Sequence, residues 1–222
     1  MIIIGFAIAC VAAFLVGSVP TGLVVGFARG INIRDHGSGN IGATNALRTL
    51  GKISGILVFI GDALKGWLVT TLGFGFVIST LSTLDPSLAT SGAWHHELLR
   101  FLIGTSVVAG NAWSVFLRFD GGKGVSTSFG ALFGMDPLVA GISLAFFVFV
   151  ILIGRYISLG SLLATLLAFW VSLLVGRDLG TTLFTACAFL LVFIRHRENI
   201  MRLKNGTERK FSFRKTTSAP PT

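Results

Sequence analysis

Residues 1–28 contain no charged side chain; the first is Arg29. About 20 consecutive apolar residues as helix cross the hydrocarbon of a bilayer, so the chain opens with a membrane span. A cleaved signal peptide would carry a basic leader and a shorter apolar stretch, so this first helix is read as retained. Further apolar stretches follow at 53–78, 101–117, 124–135, 138–154, 156–176 and 179–194, after the first at 2–28. The pattern predicts an all-α integral membrane protein with seven transmembrane helices. The fourth span is short, about 18 Å at 1.5 Å per residue. Composition agrees: charged residues are 12% and hydrophobic residues 53%. A soluble domain carries about 25% charged residues, so a water-facing surface cannot be covered, and the apolar content excludes disorder outside the ends.

Charge placement gives orientation. Fifteen of the 18 Lys and Arg fall in loop 29–52, segment 118–123, Arg155 and the residues after 194. The opposite connections hold only Arg100 and Arg177, and Lys65 lies within a span. Cytoplasmic loops collect Lys and Arg, which predicts a periplasmic N-terminus, a cytoplasmic C-terminus and an odd number of crossings. Seven fits; five would fit if 124–154 were a re-entrant pair. The net charge of +9 is read as this asymmetry rather than as a nucleic-acid footprint. Residues 1–215 are expected to form one transmembrane domain, with 216–222 a disordered tail. Cys10 and Cys187 lie in apolar runs and suggest neither a disulfide framework nor a metal site.

Loop 29–52 is long for a connector, and such loops are more often functional. Its centre reads Gly37-Ser38-Gly39-Asn40-Ile41-Gly42-Ala43-Thr44-Asn45, with Arg48 following. This satisfies GxGxxG, but a dinucleotide fold needs a soluble strand before it, and here a membrane helix precedes. Glycines let backbone N–H groups line an anion nest. A helix starting near Thr44 would add its positive end, Ser38, Asn40, Thr44 and Asn45 add neutral donors, and Arg48 adds a fork for phosphate. The alternative is a plain glycine turn.

Three other places on the same side carry polar groups. Gly121-Gly122-Lys123-Gly124 lacks Walker A spacing but sets a lysine in a glycine bed before a helix N-terminus. Ser158 and Ser161, at i and i+3, share a helix face, although membrane-helix serines often only aid helix contact. His196 and Asn199 are likewise i and i+3, at the inner end of the last span. Asp62 and Lys65 lie within the second span, where ionisable groups are costly and paired; a structural pair and a site role stand equal. These signals converge on one membrane face and suit phosphates on a lipid or its precursor.

The motifs Gly17-Ser18-Val19-Pro20-Thr21-Gly22, residues 37–48, Gly61-Asp62-Ala63-Leu64-Lys65-Gly66, Gly121-Gly122-Lys123-Gly124-Val125 and His196-Arg197-Glu198-Asn199-Ile200 resemble the bacterial acyl-phosphate:glycerol-3-phosphate acyltransferase family, in order from about 17 to 210. The resemblance implies a seven-helix enzyme of the bacterial inner membrane with its active site facing the cytoplasm. It implies acyl phosphate as donor rather than acyl-CoA or acyl carrier protein, glycerol 3-phosphate as acceptor, lysophosphatidic acid as product, and no metal or other cofactor. Carried onto this chain, the catalytic set is Ser38, Arg48, Lys123, Ser161, His196 and Asn199. Gly37, Gly39, Asn40, Thr44, Asn45, Gly122 and Ser158 would bind substrate phosphate. The chain departs from the family at Asn111 and Ser114, where His and Pro are usual, and at Asp120, where Lys is frequent.

The HxxxxD pair of other acyltransferases is absent: the residue five after each histidine is Ile41, Arg100, Phe101 or Met201. Phosphate is a good leaving group, and a phosphate dianion with a second pKa of about 6 can accept the hydroxyl proton itself; His196 as general base is the rival. The other functional class that fits is a transporter of an anionic phosphorylated solute, which would need polar groups through the membrane depth. Expected partners are the two substrates and membrane lipid, with no nucleic acid and no obligate protein partner.

Overall fold

The computed structural model describes residues 2–89 and 94–211. Among these residues there is no strand; every ordered element is a helix or a tight helical turn. The first apolar stretch forms α1 (Ile2–Ser18) and α2 (Thr21–Phe27). The break falls at Pro20, which has no N–H to continue the helical ladder. After the loop come α3 (Ala43–Thr49) and α4 (Lys52–Leu68), then a π turn at Val69–Gly73 leading into α5 (Phe74–Leu84). The remaining helices are α6 (Trp94–Ala112), α7 (Val125–Met135), α8 (Pro137–Gly154), α9 (Ile157–Leu174), α10 (Leu179–Arg195) and α11 (Arg197–Lys204).

Five stretches among the described residues are long and apolar enough to cross a bilayer: Ile2–Phe27, Lys52–Leu84, Trp94–Leu117, Pro137–Gly154 and Ile157–Leu174. Joined to α11 across a 64° bend, α10 makes a sixth. The short fourth stretch is α7, 11 residues long, or about 16 Å. The chain is therefore a multi-pass, all-helical membrane protein. Two boundaries differ from the sequence reading. The stretch expected at 53–78 runs on to Leu84, and the one expected at 101–117 starts at Trp94 and leaves the α-helix at Ala112. Apolar counting misses polar end turns, which helices carry where they leave the hydrocarbon. The expected tail 216–222, with Arg214 and Lys215, lies outside the described residues.

The bundle turns its large apolar side chains outward: Ile8 and Leu15 of α1, Ile53 and Ile60 of α4, and Leu152 of α8 are all exposed. Lipid offers such residues no penalty, so contact between membrane helices depends on close approach of small residues. The α4–α7 seam illustrates this. A Cβ on Gly66 would lie 2.3 Å from the Thr127 carbonyl oxygen, and one on Gly130 would lie 1.8 Å from that of Ala63. Only glycine permits that approach. The interior centres on Leu99, Ile103, Val107 and Val108 of α6, with Val139 of α8 and Phe184 of α10. Within this core, Asp62 and Lys65 pair at 2.8 Å, and Lys65 Nζ donates to the Val19 carbonyl at 3.0 Å. The lysine thus satisfies a carbonyl at the Pro20 break.

Candidate active site

At the basic end of the bundle, loop 28–42, the 113–124 segment, the α8–α9 turn, the α10–α11 bend and residues 205–211 converge on one cavity of about 630 Å³. Its mouth includes Ser38, Arg48, Lys123, Ser158, His196 and Asn199. Its deeper wall is Phe129, Leu132, Phe147, Ala164, Ala168 and Phe184. Three hydroxyls on that wall are turned to their own helices: Ser143 donates to Val139, Thr165 to Ser161 and Thr185 to Thr181. The lower half is therefore largely apolar, with Asp62, Asn111 and Ser128 also on its lining. A second, polar cavity of about 570 Å³ shares Ser38, Asn40 and Lys123 with the first and adds Arg34, Asp120 and Arg195.

The glycine loop is a folded scaffold. Gly37 has φ +66°, a conformation side chains resist, and a Cβ there would meet Asn45 Oδ1 at 2.2 Å. Asn45 is buried. Its Oδ1 accepts from the Ser38 N–H at 2.9 Å, and its Nδ2 faces the carbonyls of Ile33, His36 and Asn40. The Gly39 and Gly42 N–H groups are bonded within the loop, to His36 O and Asn40 Oδ1. Hence Asn45 and Gly39, expected at the phosphate, hold the loop that presents Ser38, Asn40 and Thr44, and themselves line the two cavities. The following helix begins at Ala43 and has only seven residues, so its dipole contributes less than a full helix would.

On the other side, Lys123 Nζ donates to Asn199 Oδ1 in a short contact. Asn199 Nδ2 donates to Glu208 Oε1 at 2.7 Å, Ser158 Oγ to the same oxygen at 2.8 Å, and Arg202 Nε to Oε2 at 2.9 Å. Glu208 gathers residues from α9 and α11, and through Asn199 reaches Lys123. Sequence reasoning missed it; an acid beyond the last helix, in a basic tail, looks like solvated surface. Ser158 rather than Ser161 makes the cross-element contact, because Ser161 Oγ donates to Ile157 O of its own helix. Gly122, expected at the phosphate, has both backbone groups taken, its N–H by Asn111 O and its C=O by Arg195. Arg48 reaches the carbonyl of Arg209 at 3.3 Å.

His196 and Asn199 stand at the start of α11, three residues apart as expected, with His196 as its N-cap. The chain bends at His196, which ends α10, while Asn199 sits in α11; both still line the cavity. His196 Nδ1 lies 2.8 Å from the Val192 carbonyl. A carbonyl only accepts, so Nδ1 carries the proton and Nε2 presents its lone pair. Burial and the Lys123 charge lower His196 to about 4, against the opposing hydrogen bond to Val192, so the ring is neutral near pH 7. Burial lowers Lys123 from 10.5 to about 8. Burial alone would raise Glu208, but hydrogen bonds from Arg202, Asn199 and Ser158 outweigh it and hold its carboxyl below the usual range. The site therefore combines a poised ammonium, a neutral imidazole acceptor and a neutralised carboxylate above an apolar shaft.

A family model described as glycerol-3-phosphate acyltransferase matches residues 7–206. A glycerol-3-phosphate acyltransferase of Geotalea daltonii is 42% identical over 202 residues, covering 90% of this chain and 95% of that protein. One of Thermus thermophilus is 40% identical, covering 91% and 93%. A crystal structure of PlsY, an integral membrane glycerol 3-phosphate acyltransferase, in its glycerol 3-phosphate form superposes with TM-score 0.81 at 35% identity, covering 93% of this chain and 96% of that one. The lysophosphatidic acid form of PlsY gives TM-score 0.79 at 34% identity.

Proposed function

The chain belongs to the glycerol-3-phosphate acyltransferase family, and we propose that it acylates glycerol 3-phosphate with acyl phosphate as donor, holding both phosphates at the basic mouth at once. It is an acyltransferase of phospholipid biosynthesis. The observation that carries the donor assignment is the cavity's two-part character. Lys123, Asn199 and Ser158 gather around Glu208 at the mouth, above a shaft lined by phenylalanine, leucine and alanine. An acyl phosphate has that same division. Its chain enters the shaft and its phosphate rests at the mouth, near Ser38, Thr44, Arg48 and the open side of the glycine loop. Glycerol 3-phosphate sits opposite, held by Lys123, Asn199, His196 and the serines of α9.

The acceptor hydroxyl attacks the acyl carbonyl carbon, the carbon–oxygen bond to phosphate breaks, and lysophosphatidic acid and inorganic phosphate result. His196 Nε2 accepts a hydrogen bond from the hydroxyl and orients it. A ring lowered to about 4 is a weak base, whereas the departing phosphate, with a second pKa of about 6, takes the proton. Positioning two reactants in this way supplies much of the rate. The basic end faces the cytoplasm of a bacterial inner membrane, with seven crossings when α7 and α10 are both counted and the N-terminus on the periplasmic side; the placement of basic residues supports this.

The test supplies purified enzyme with glycerol 3-phosphate and either acyl phosphate or acyl-CoA, and measures phosphate release and lysophosphatidic acid. Acyl phosphate alone supports turnover; equal rates with acyl-CoA would overturn the donor assignment.

A further inference from the structure

The backbone turn that carries Lys123 is held on both sides, by residues outside the expected site. On one side Asn111, 3% exposed, accepts the Gly122 N–H at its backbone oxygen at 2.8 Å and the Gly124 N–H at its Oδ1 at 3.0 Å. These donors flank Lys123 in sequence. Asn111 Nδ2 in turn donates to buried Asp62 at 3.3 Å, and Asp62 is paired with Lys65. On the other side Arg195 donates from Nε to the Gly122 carbonyl and from a terminal nitrogen to that of Gly121, both at 3.0 Å. Asp120 lies 3.5 Å from Arg195 and 2.6 Å from Arg34 of the glycine loop. A Cβ on Gly121 would stand 2.2 Å from the Asn111 carbonyl oxygen, so the turn closes this tightly only as glycine.

We propose that Asn111, oriented by the buried Asp62–Lys65 pair, and Arg195 form a two-sided clamp that fixes the Lys123 turn over the cavity; they are positioning residues for acyl transfer. The clamp takes the N–H groups of the turn from one face and its carbonyls from the other. The turn is therefore tied on both faces at the glycines that flank Lys123, and the lysine side chain is left to reach Asn199. This gives the Asp62–Lys65 pair a task beyond charge balance: it fixes which end of the Asn111 amide faces Gly124. The requirement at position 111 is one acceptor toward Gly124 and one donor toward Asp62. A neutral histidine meets it with its two ring nitrogens; leucine meets neither half, and aspartate keeps the acceptor but faces Asp62 with like charge.

The inference rests on Lys123 acting at the substrate phosphates, so Lys123→Met is assayed alongside. If Lys123→Met leaves kcat/KM unchanged, the functional reading fails and the clamp with it. With Lys123→Met impaired, Asn111→Leu is expected to lose about 100-fold in kcat/KM, the order that small misplacements cost. Its alkaline limb moves up from about 8 toward 10.5, because a released lysine returns to water. Asn111→His keeps activity within a few fold of the parent and keeps the limb. Should Asn111→Leu fail to fold, Gly121→Ala and Arg195→Lys are read instead, with the same loss and the same upward limb expected. Parent-like rate and pH profile in Asn111→Leu, or in both substitutes, overturns the clamp. So does equal loss in Asn111→His and Asn111→Leu, because the donor–acceptor pattern at 111 would then not be what holds the turn.

Discussion

The two ends of the bundle handle polar groups in different ways. At the opposite end, the α7–α8 and α9–α10 connections are short and their polar groups act as caps. Asp136 accepts from the Val139 N–H and meets Arg177 at 2.5 Å, and Asp178 accepts from both the N–H and the hydroxyl of Thr181. These groups are matched to one another. At the basic end, loops from distant parts of the chain interlock: Lys123 with Asn199, Ser158 with Glu208, Arg34 with Asp120, Arg48 with the Arg209 carbonyl. There the partners stand around a cavity, and His196 Nε2 is left as an acceptor facing it. Polar groups matched among themselves hold a fold. Polar groups gathered at a hollow with donors in excess receive an anion.

Substitution at each end sharpens that contrast. The largest effect belongs to Lys123→Met: removing a donor aimed at developing charge costs about 100- to 1,000-fold in rate, read as lysophosphatidic acid formed at subsaturating substrate. A parent-like rate would place the phosphates elsewhere. Next is pH. Lys123 must be protonated to bind phosphate, so kcat/KM falls as pH rises through about 8. His196 must be neutral to accept, so activity falls only as pH drops toward about 4. In Lys123→Arg the alkaline limb leaves the measurable range, because a guanidinium stays charged. A limb unmoved in that variant would belong to another group.

Glu208→Gln is smaller. The carboxylate accepts three hydrogen bonds and offsets nearby cations, and a charge-assisted bond is worth about 1.5–3 kcal/mol, so KM for glycerol 3-phosphate rises about tenfold while Lys123 remains in place. The smallest effect lies at the far end. Arg177→Gln breaks an ion pair whose carboxylate, Asp136, is buried, seen as a lower unfolding temperature in detergent, with turnover per folded molecule unchanged. If it lowered turnover, the two ends would not be independent.

What could be seen in the sequence follows the same division. The helices were legible because lipid demands long apolar runs, and the short α7 was legible from the same count. The glycine loop, Lys123, His196 and Asn199 stood out because donors crowd beside glycine. Partnership was not legible. That Asn45 serves its own loop, that Ser158 rather than Ser161 crosses to another element, and that Glu208 joins the cavity all depend on chain segments brought together from far apart. Asn111 and Asp62, about 50 positions apart in sequence, give no local pattern at all. The bend at His196 was hidden because neither glycine nor proline marks it.

The central claim is that one mouth holds two phosphorylated molecules together. It is tested most directly by titrating glycerol 3-phosphate calorimetrically into enzyme saturated with a non-hydrolysable acyl phosphonate. The account predicts a ternary complex, with glycerol 3-phosphate binding at near its usual affinity while the phosphonate stays bound. Mutually exclusive binding, each ligand displacing the other, would contradict it.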